Sequence, residues 1–296
     1  LLEGRDPLFP RGGQIAIPGF TSWTAPSLSI SGGLAVFPST TLTVNGDLTT
    51  SANGCLEVSN QSFTVAGNML LNSSDNMRAA SYFYYGTGTL MSIAQDLRIT
   101  GSRLNVYGNE TNTSLFSVVG NLELPSTGLL LFQSGLTNAA ADHGLRVDIG
   151  QTFFVASNSW VYPYSQPTNG GSVLFRAKAL IVATTNSGFD AGAAGFAGRA
   201  GTRGYGPGGG SRSGAGGGGG GGYGGYGGAC NATSGIPYGS TNQPMDAGSG
   251  GGSGAWNPGT PGARGGGLIR LEINGKATID GVLRANGARG YYVGGL

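Results

Sequence analysis

Charged side chains are scarce in this sequence: Asp, Glu, Lys and Arg make up 10% of it, where about 25% is usual. A surface this poor in charge stays soluble through hydroxyls, amides or attached sugar instead. The formal net charge of +2 is small and scattered, which excludes the concentrated basic footprint of a nucleic-acid or anionic-membrane binder. Lysine occurs only as Lys178 and Lys276, and neither follows a glycine-rich loop as a phosphate-binding lysine does. Histidine occurs once, as His143 in ADHGLRV beside Asp142 and Arg146. A single His on a corner reads as a solvated loop residue rather than a working acid or base. With only Cys55 and Cys230 and no His/Cys cluster, the sequence offers no zinc-type site. It has no run of 18 or more apolar residues, so no transmembrane helix is expected. Leu1 to Pro10 lacks the basic start and apolar run of a signal peptide, and the missing initial Met is what a processed or partial chain would show.

What is present is a repeat. The stretch FSVVGNLEL, Phe116 to Leu124, returns as LTVNGDL at Leu42, FTVAGNMLL at Phe63, MSIAQDLRI at Met91 and LEINGKATI at Leu271. Weaker copies begin at Leu145 (LRVDIGQTFFV) and Val173 (VLFRAKALI). Each copy alternates apolar and polar residues, bends at the Gly-Asn place of the pattern, and alternates again, which is two short strands around a corner. The central residues Val44, Val65, Ile93, Val118, Val147 and Phe175 are 21, 28, 25, 29 and 28 positions apart by subtraction. Spacings of about 20 to 50 residues indicate stacked repeats that bury an apolar face only against their neighbours. Strands and polar corners at this spacing, without a helical pattern, predict an all-β parallel β-helix, a solenoid. Unrelated strands of a β-sandwich are the alternative. Val44, Val65, Ile93, Val118, Val147 and Ile273 are expected to share one core, with residues 34–183 and 268–287 in one parallel sheet system.

The chain divides into four parts. Residues 1–33, with Pro7, Pro10, Pro18 and Pro26, match the repeat poorly and suit an extended arm or edge-blocking cap. Residues 34–190 hold the solenoid repeats, with aromatic inserts SYFYYGTGTL at Ser81 and WVYPYSQP at Trp160 that suit local packing, a glycan or a partner subunit. Residues 191–267 are glycine-rich, and residues 268–296 are the final coil and a C-terminal tip bearing Tyr291, Tyr292 and Val293.

In AGAAGFAGRAGTRGYG, Gly occupies positions 192, 195, 198, 201 and 204. Period three belongs to a polyproline II-type helix. Proline is nearly absent from the run, which excludes collagen. Two readings stay open: a flexible low-complexity loop, or segments folded into a bundle of polyglycine II helices. Ordering glycine is entropically costly. Yet the repeat resumes cleanly at Ile269, which favours a folded insertion.

Five N-x-S/T triplets stand at Asn60, Asn72, Asn109, Asn112 and Asn231, four of them in gaps between strand motifs. Placed at exposed corners, they suit N-glycosylation in a secretory route. Ser39 to Thr43 and Thr49 to Ser51 suit O-linked sugar or plain solvated hydroxyls. Cys55 and Cys230 either pair, tying the glycine-rich region to the first coils, or remain thiols.

The combination GGGGGGGYGGYGGACNAT, GSTNQPMDAGSGGGSGAW and ARGGGLIRLEINGKATIDGVLRANG, over about residues 205–290, resembles a glycine-rich module of large secreted and cell-surface proteins of bacteria, protists and plants. The coils are similar to parallel β-helix adhesins, and the whole is more weakly similar to extracellular glycoprotein fibril subunits. None of these likenesses supplies a catalytic residue. Carboxylates such as Asp96, Asp142, Asp148 and Asp280 fall on different copies of the repeat, so the chain is expected to be no enzyme and to need no cofactor or metal. The expected function is a structural subunit of an extracellular glycosylated filament, coat or wall, partnered by itself head-to-tail and by N- and O-linked glycans. Residues 1 to about 30 are expected to reach a neighbouring subunit. A cell-surface adhesin or carbohydrate-binding module is the alternative, and a polysaccharide lyase comes third.

Overall fold

The computed structural model describes residues 2–3, 21–59, 61–73, 80–85, 91–109, 113–137, 142–240, 242–255 and 260–290. Every regular element among them is a β-strand, and the strands form two sheets by parallel pairing. No helix among the described residues is long and apolar enough to cross a membrane.

Each coil contributes three strands, as in Thr41–Val44, Leu48–Ser51 and Cys55–Ser59. The repeat supplies the first two, and the third follows a second corner at Ala52–Asn53–Gly54. Stacked coil on coil, they form three ladders. The first runs through Ser22–Ala25, Thr41–Val44, Phe63–Val65, Met91–Ile93, Ser114–Val118, the starts of Leu145–Val155 and Val173–Val182, and Arg270–Ile273. The second runs from Leu28–Ser31 to Ala277–Ile279. The third runs from Leu34–Pro38 to Val282–Arg284 and is a sheet of its own. The first two ladders join into one sheet because Leu145–Val155 and Val173–Val182 pass through the first corner unbroken, at a register shift between Ile149 and Thr152.

The Gly-Asn/Asp of the repeat has a physical cause. At the first corner the backbone N–H of Asn68 donates to Asp47 Oδ1 (2.7 Å), that of Asp96 to Asn68 Oδ1 (3.3 Å), that of Asn121 to Asp96 Oδ1 (2.6 Å) and that of Thr152 to Asn121 Oδ1 (3.1 Å). Because Asp and Asn alternate, each carboxylate lies against an amide and never against another carboxylate. The corner glycines make room for this file: a Cβ on Gly67 or Gly120 would collide with the carboxylate of Asp47 or Asp96 in the coil before.

Alternating side chains point inward and fill one elongated core. Val44, Val65, Ile93, Val118 and Val147 are all buried in it, while Ile273 is half-buried against it. Fully burying such a side chain contributes about 1.5–3 kcal/mol. Rings interlock along the axis: Phe63 on Phe83 at 4.8 Å, Phe116 on Phe132 at 5.8 Å, and Phe175 on Phe189 at 5.6 Å between centroids.

The repeat markers are not all in register: Val118 pairs with Ile149, while Val147 faces Phe116. The alignment slips by two residues, and since side chains alternate with period two, every inward residue stays inward. Residues 22–31, assigned above to the arm, are strands of the first coil, and the backbone of Leu2–Glu3 adds to Leu28–Ser31 of its own chain. These strands pair within their own chain, and the remainder of the proposed arm, residues 4–20, lies outside the described residues. The aromatic inserts are strands as well: Ala80–Tyr84 and Trp160–Tyr164 belong to the third ladder, with Phe83 and Val161 inward and Tyr82, Tyr84, Trp160, Tyr162 and Tyr164 outward.

Between Asp190 and Arg270 the described chain has no regular strand, but its backbone is densely hydrogen-bonded. Residues 248–255 show how. Gly248 and Gly251 donate to Gly266 and Ala263; Ser249, Gly252 and Ala255 to Gly222, Gly219 and Gly216; Gly250 and Ser253 to Tyr205 and Thr202. Donors three apart thus meet the same neighbouring segment, so three segments surround this one. Glycine is required by closeness, since a Cβ on Gly250, Gly252 or Gly262 would collide with the carbonyl of Ala197, Ser211 or Gly251.

Candidate interaction surfaces

Stacking gathers charge that the sequence scatters. On the outer face of the first ladder, Arg146, Leu174 and Arg270 fall in one file, and Asp148, Arg176 and Glu272 in the next. Arg270 bridges Asp142 (2.9 Å) and Glu272 (3.1 Å), Arg176 reaches Glu272 at 2.7 Å, and Arg146 reaches Asp148 at 3.1 Å. His143 Nδ1 sits 3.0 Å from Asp142 with 12% of its side chain exposed, so it is a packed member of the network rather than a solvated loop residue. The His143 hydrogen bond and then Arg270 hold the Asp142 carboxyl below its ordinary value. Arg176 chiefly does the same for Glu272. Carboxylates held this way favour their ionised form and are poor proton donors. Asp96 lies apart, in the corner file, and Asp280 lies on the last coil. Among the described residues no group of three or more His, Cys, Asp or Glu side chains is arranged to hold a metal ion.

The outer face of the third ladder is aromatic. Tyr84 and Tyr107 pair in register and stack at 4.7 Å with an interplanar angle of 11°. Burial, above all, pushes both phenols above their ordinary value. Farther along, Arg284 lies over the Trp160 ring at 5.4 Å and pairs with Asp190 at 2.6 Å. Beside the tyrosine stack is a cleft of about 320 Å³ lined by Tyr84, Tyr85, Tyr107, Gln133, Gln166 and Pro167, with Gly108 and Ser134.

The two ends of the stacked ladders differ. In the first described coil the inward residues Leu28, Ile30, Ala35 and Phe37 are buried. In the last coil Leu271 and Ile273 are half-buried, but two inward positions are open: Ile279, in register with buried Val182, is 42% exposed, and Leu283, in register with buried Phe189, is 43% exposed. A cavity of about 1440 Å³ lies between this coil and the glycine-rich layer, lined by Ile269, Leu271 and Leu283 on one side and by Gly217 and Gly221 on the other.

Of the glycosylation candidates, Asn72 and Asn231 are exposed. Asn109 is 7% exposed, with its backbone N–H on Ser114 Oγ. Asn60 and Asn112, like Tyr291, Tyr292 and Val293, lie outside the described residues. Cys55 and Cys230 are both free thiols, the second of the two readings left open above. Cys55 Sγ donates to the Asn53 carbonyl at 3.4 Å, and Cys230 is exposed with its Sγ 3.3 Å from Asn231 Oδ1.

The third ladder is not legible in the repeat, because its strands, among them LAVFP, CLEVS, ASYFY, LLLFQ and WVYPY, share no common pattern and several put Leu, Tyr or Trp outward as well as inward. The ionic network is hidden because Asp142 and Arg270 are separated by the whole glycine-rich region. Nor is 248–255 conspicuous beside the more regular tract before it. No family model matches the chain, and no curated protein and no solved structure matches it.

Proposed function

We propose that this chain is a structural subunit of an extracellular, glycosylated filament, coat or wall that assembles head to tail. The observation that carries this reading is the open last coil, where inward-facing Ile279 and Leu283 are exposed and, among the described residues, Arg270–Ile273, Ala277–Ile279 and Val282–Arg284 each pair on one side only. Parallel edges left unpaired among the described residues, beside exposed apolar side chains, favour addition of another chain. Repeated head-to-tail contact that does not close gives a filament.

The solenoid is read as a closed β-helix of three faces. The glycine-rich region is read as a polyglycine II-type bundle, on the strength of the three-residue recurrence of donors in 248–255. Low charge, exposed Asn72 and Asn231, and the outward hydroxyl file Thr24, Thr43, Thr64, Ser92 and Ser117 support an extracellular chain carrying N- and O-linked sugar. Carboxylates neutralised by arginine support a non-enzymatic role. The second reading, an adhesin or carbohydrate-binding module of the glycine-rich β-helix type, draws on the outward aromatic face of the third ladder.

Electron microscopy of the purified protein tests the assembly. Filaments are expected from the native sequence. Leu283→Asp should leave the circular dichroism unchanged and give monomers. A native protein that stays monomeric, or filaments unaffected by Leu283→Asp, would overturn the reading.

A further inference from the structure

We propose that the cleft beside Tyr84 and Tyr107 is a binding site for a neutral saccharide of one or two pyranose units. Three successive strands of the third ladder, Ala80–Tyr84, Arg103–Tyr107 and Leu129–Gln133, end with Tyr84, Tyr107 and Gln133 in one file. Tyr85, Gly108 and Ser134, which follow these strand ends, line the cleft of about 320 Å³ together with Gln166 and Pro167. That is near the lower limit of small-molecule sites, roughly 300–1,000 Å³.

The lining selects the chemistry. None of its eight residues is charged, so nothing there would compensate the desolvation of a phosphate, a carboxylate or an ammonium group. What is offered is aromatic surface with amide groups at its edge. Sugars present apolar C–H faces and a rim of hydroxyls that both donate and accept, which that combination matches.

The cleft is also built before any ligand arrives. The two tyrosine rings hold each other in a stack, and buried Tyr85 donates its hydroxyl to the Leu115 carbonyl. Gln166 Oε1 accepts from Thr168 N (2.7 Å), Thr168 Oγ1 (2.9 Å) and Asn169 N (2.6 Å), which fixes the side chain and leaves its Nε2 as a donor at the cleft. Gln133 is exposed, and its backbone carbonyl accepts from Gly108 N at 2.7 Å while its side-chain amide has no partner among the described residues. A rigid wall and unpartnered amides reduce the ordering cost of binding.

Ligand-observed NMR and calorimetry would test the site on the intact chain. The probes are glucose, galactose, mannose, N-acetylglucosamine, cellobiose and chitobiose, with galacturonate as the charged comparison. At least one neutral sugar should bind more tightly than about 10 mM, which is weak but measurable. Gln133→Ala changes an exposed side chain and should weaken binding tenfold or more, about 1.4 kcal/mol. Tyr107→Phe retains the ring stack and should weaken it less. Thr64→Ala, on another face, should leave affinity unchanged. Absence of binding by every neutral probe, equal affinity in Gln133→Ala, or preference for galacturonate would each overturn the proposal.

Discussion

Asn121 donates twice to one oxygen of Asp96: its backbone N–H at 2.6 Å and its side-chain amide at 3.1 Å both reach Oδ1. The two residues are 25 positions apart, one coil above the other, at the corner where the first two ladders meet. The contact explains why the repeat carries Gly followed by Asn or Asp.

Removing that acceptor should therefore cost stability. Asp96→Ala leaves the partly buried Asn121 N–H unsatisfied, a penalty of about 1–3 kcal/mol. Asp96→Asn keeps an acceptor and should cost less than half as much. Urea unfolding of the two variants checks the order, and equal losses would show that the corner file is unimportant.

Neighbouring valines provide a test of the core. Val118 is 1% exposed and Val119 is 58% exposed. Val118→Asp buries an unpaired charge and should unfold several coils, whereas Val119→Asp should stay within about 0.5 kcal/mol of the native protein. Circular dichroism and denaturant titration distinguish them. A tolerated aspartate at 118 would contradict the shared core.

Acid should loosen the last coil. Asp142 and Glu272 are held below their ordinary values by His143 and Arg270 and by Arg176 and Arg270, respectively. A depressed carboxyl contributes stability above its unfolded value and loses it as pH falls through the folded one. The contribution is thus complete near neutrality and fades below about pH 4 as the carboxyls protonate. These groups are solvent-exposed, so salt should weaken the same network. Amide protection, taken relative to the intrinsic exchange rate at each pH, should fall between pH 6 and pH 3 at 270–273 more than at 63–65. An equal loss of protection at both would remove the network as the cause.

Thiol reactivity should distinguish the cysteines. Burial pushes the Cys55 thiol above its ordinary value, and less thiolate means slower alkylation. Native protein should consume two equivalents of a thiol reagent, Cys230 before Cys55. A mass showing the pair oxidised would contradict the free state.

How much of this was legible follows from how far each signal reaches along the chain. In FTVAGNMLL, Phe63 and Val65 alternate with polar neighbours and turn at Gly67-Asn68, so two strands and a corner are written within nine residues. Their burial follows from period two alone. The partner of each strand is not written there. Val118 lies beside Ile149 rather than Val147, and only continuous ladder hydrogen bonding selects between registers that bury the same face.

Tertiary structure also decided the candidate sites. Tyr84, Tyr107 and Gln133 form one file because three coils of unequal length end their third strands at the same height. Arg270 meets Asp142 because the glycine-rich region returns the chain to its own sheet. By itself the sequence determined the strand, the corner and the inward face, since these depend on side chains a few bonds apart. Stacking alone decided which coils share an ion pair, a cleft or an open end, because those depend on distances between residues that local periodicity does not constrain.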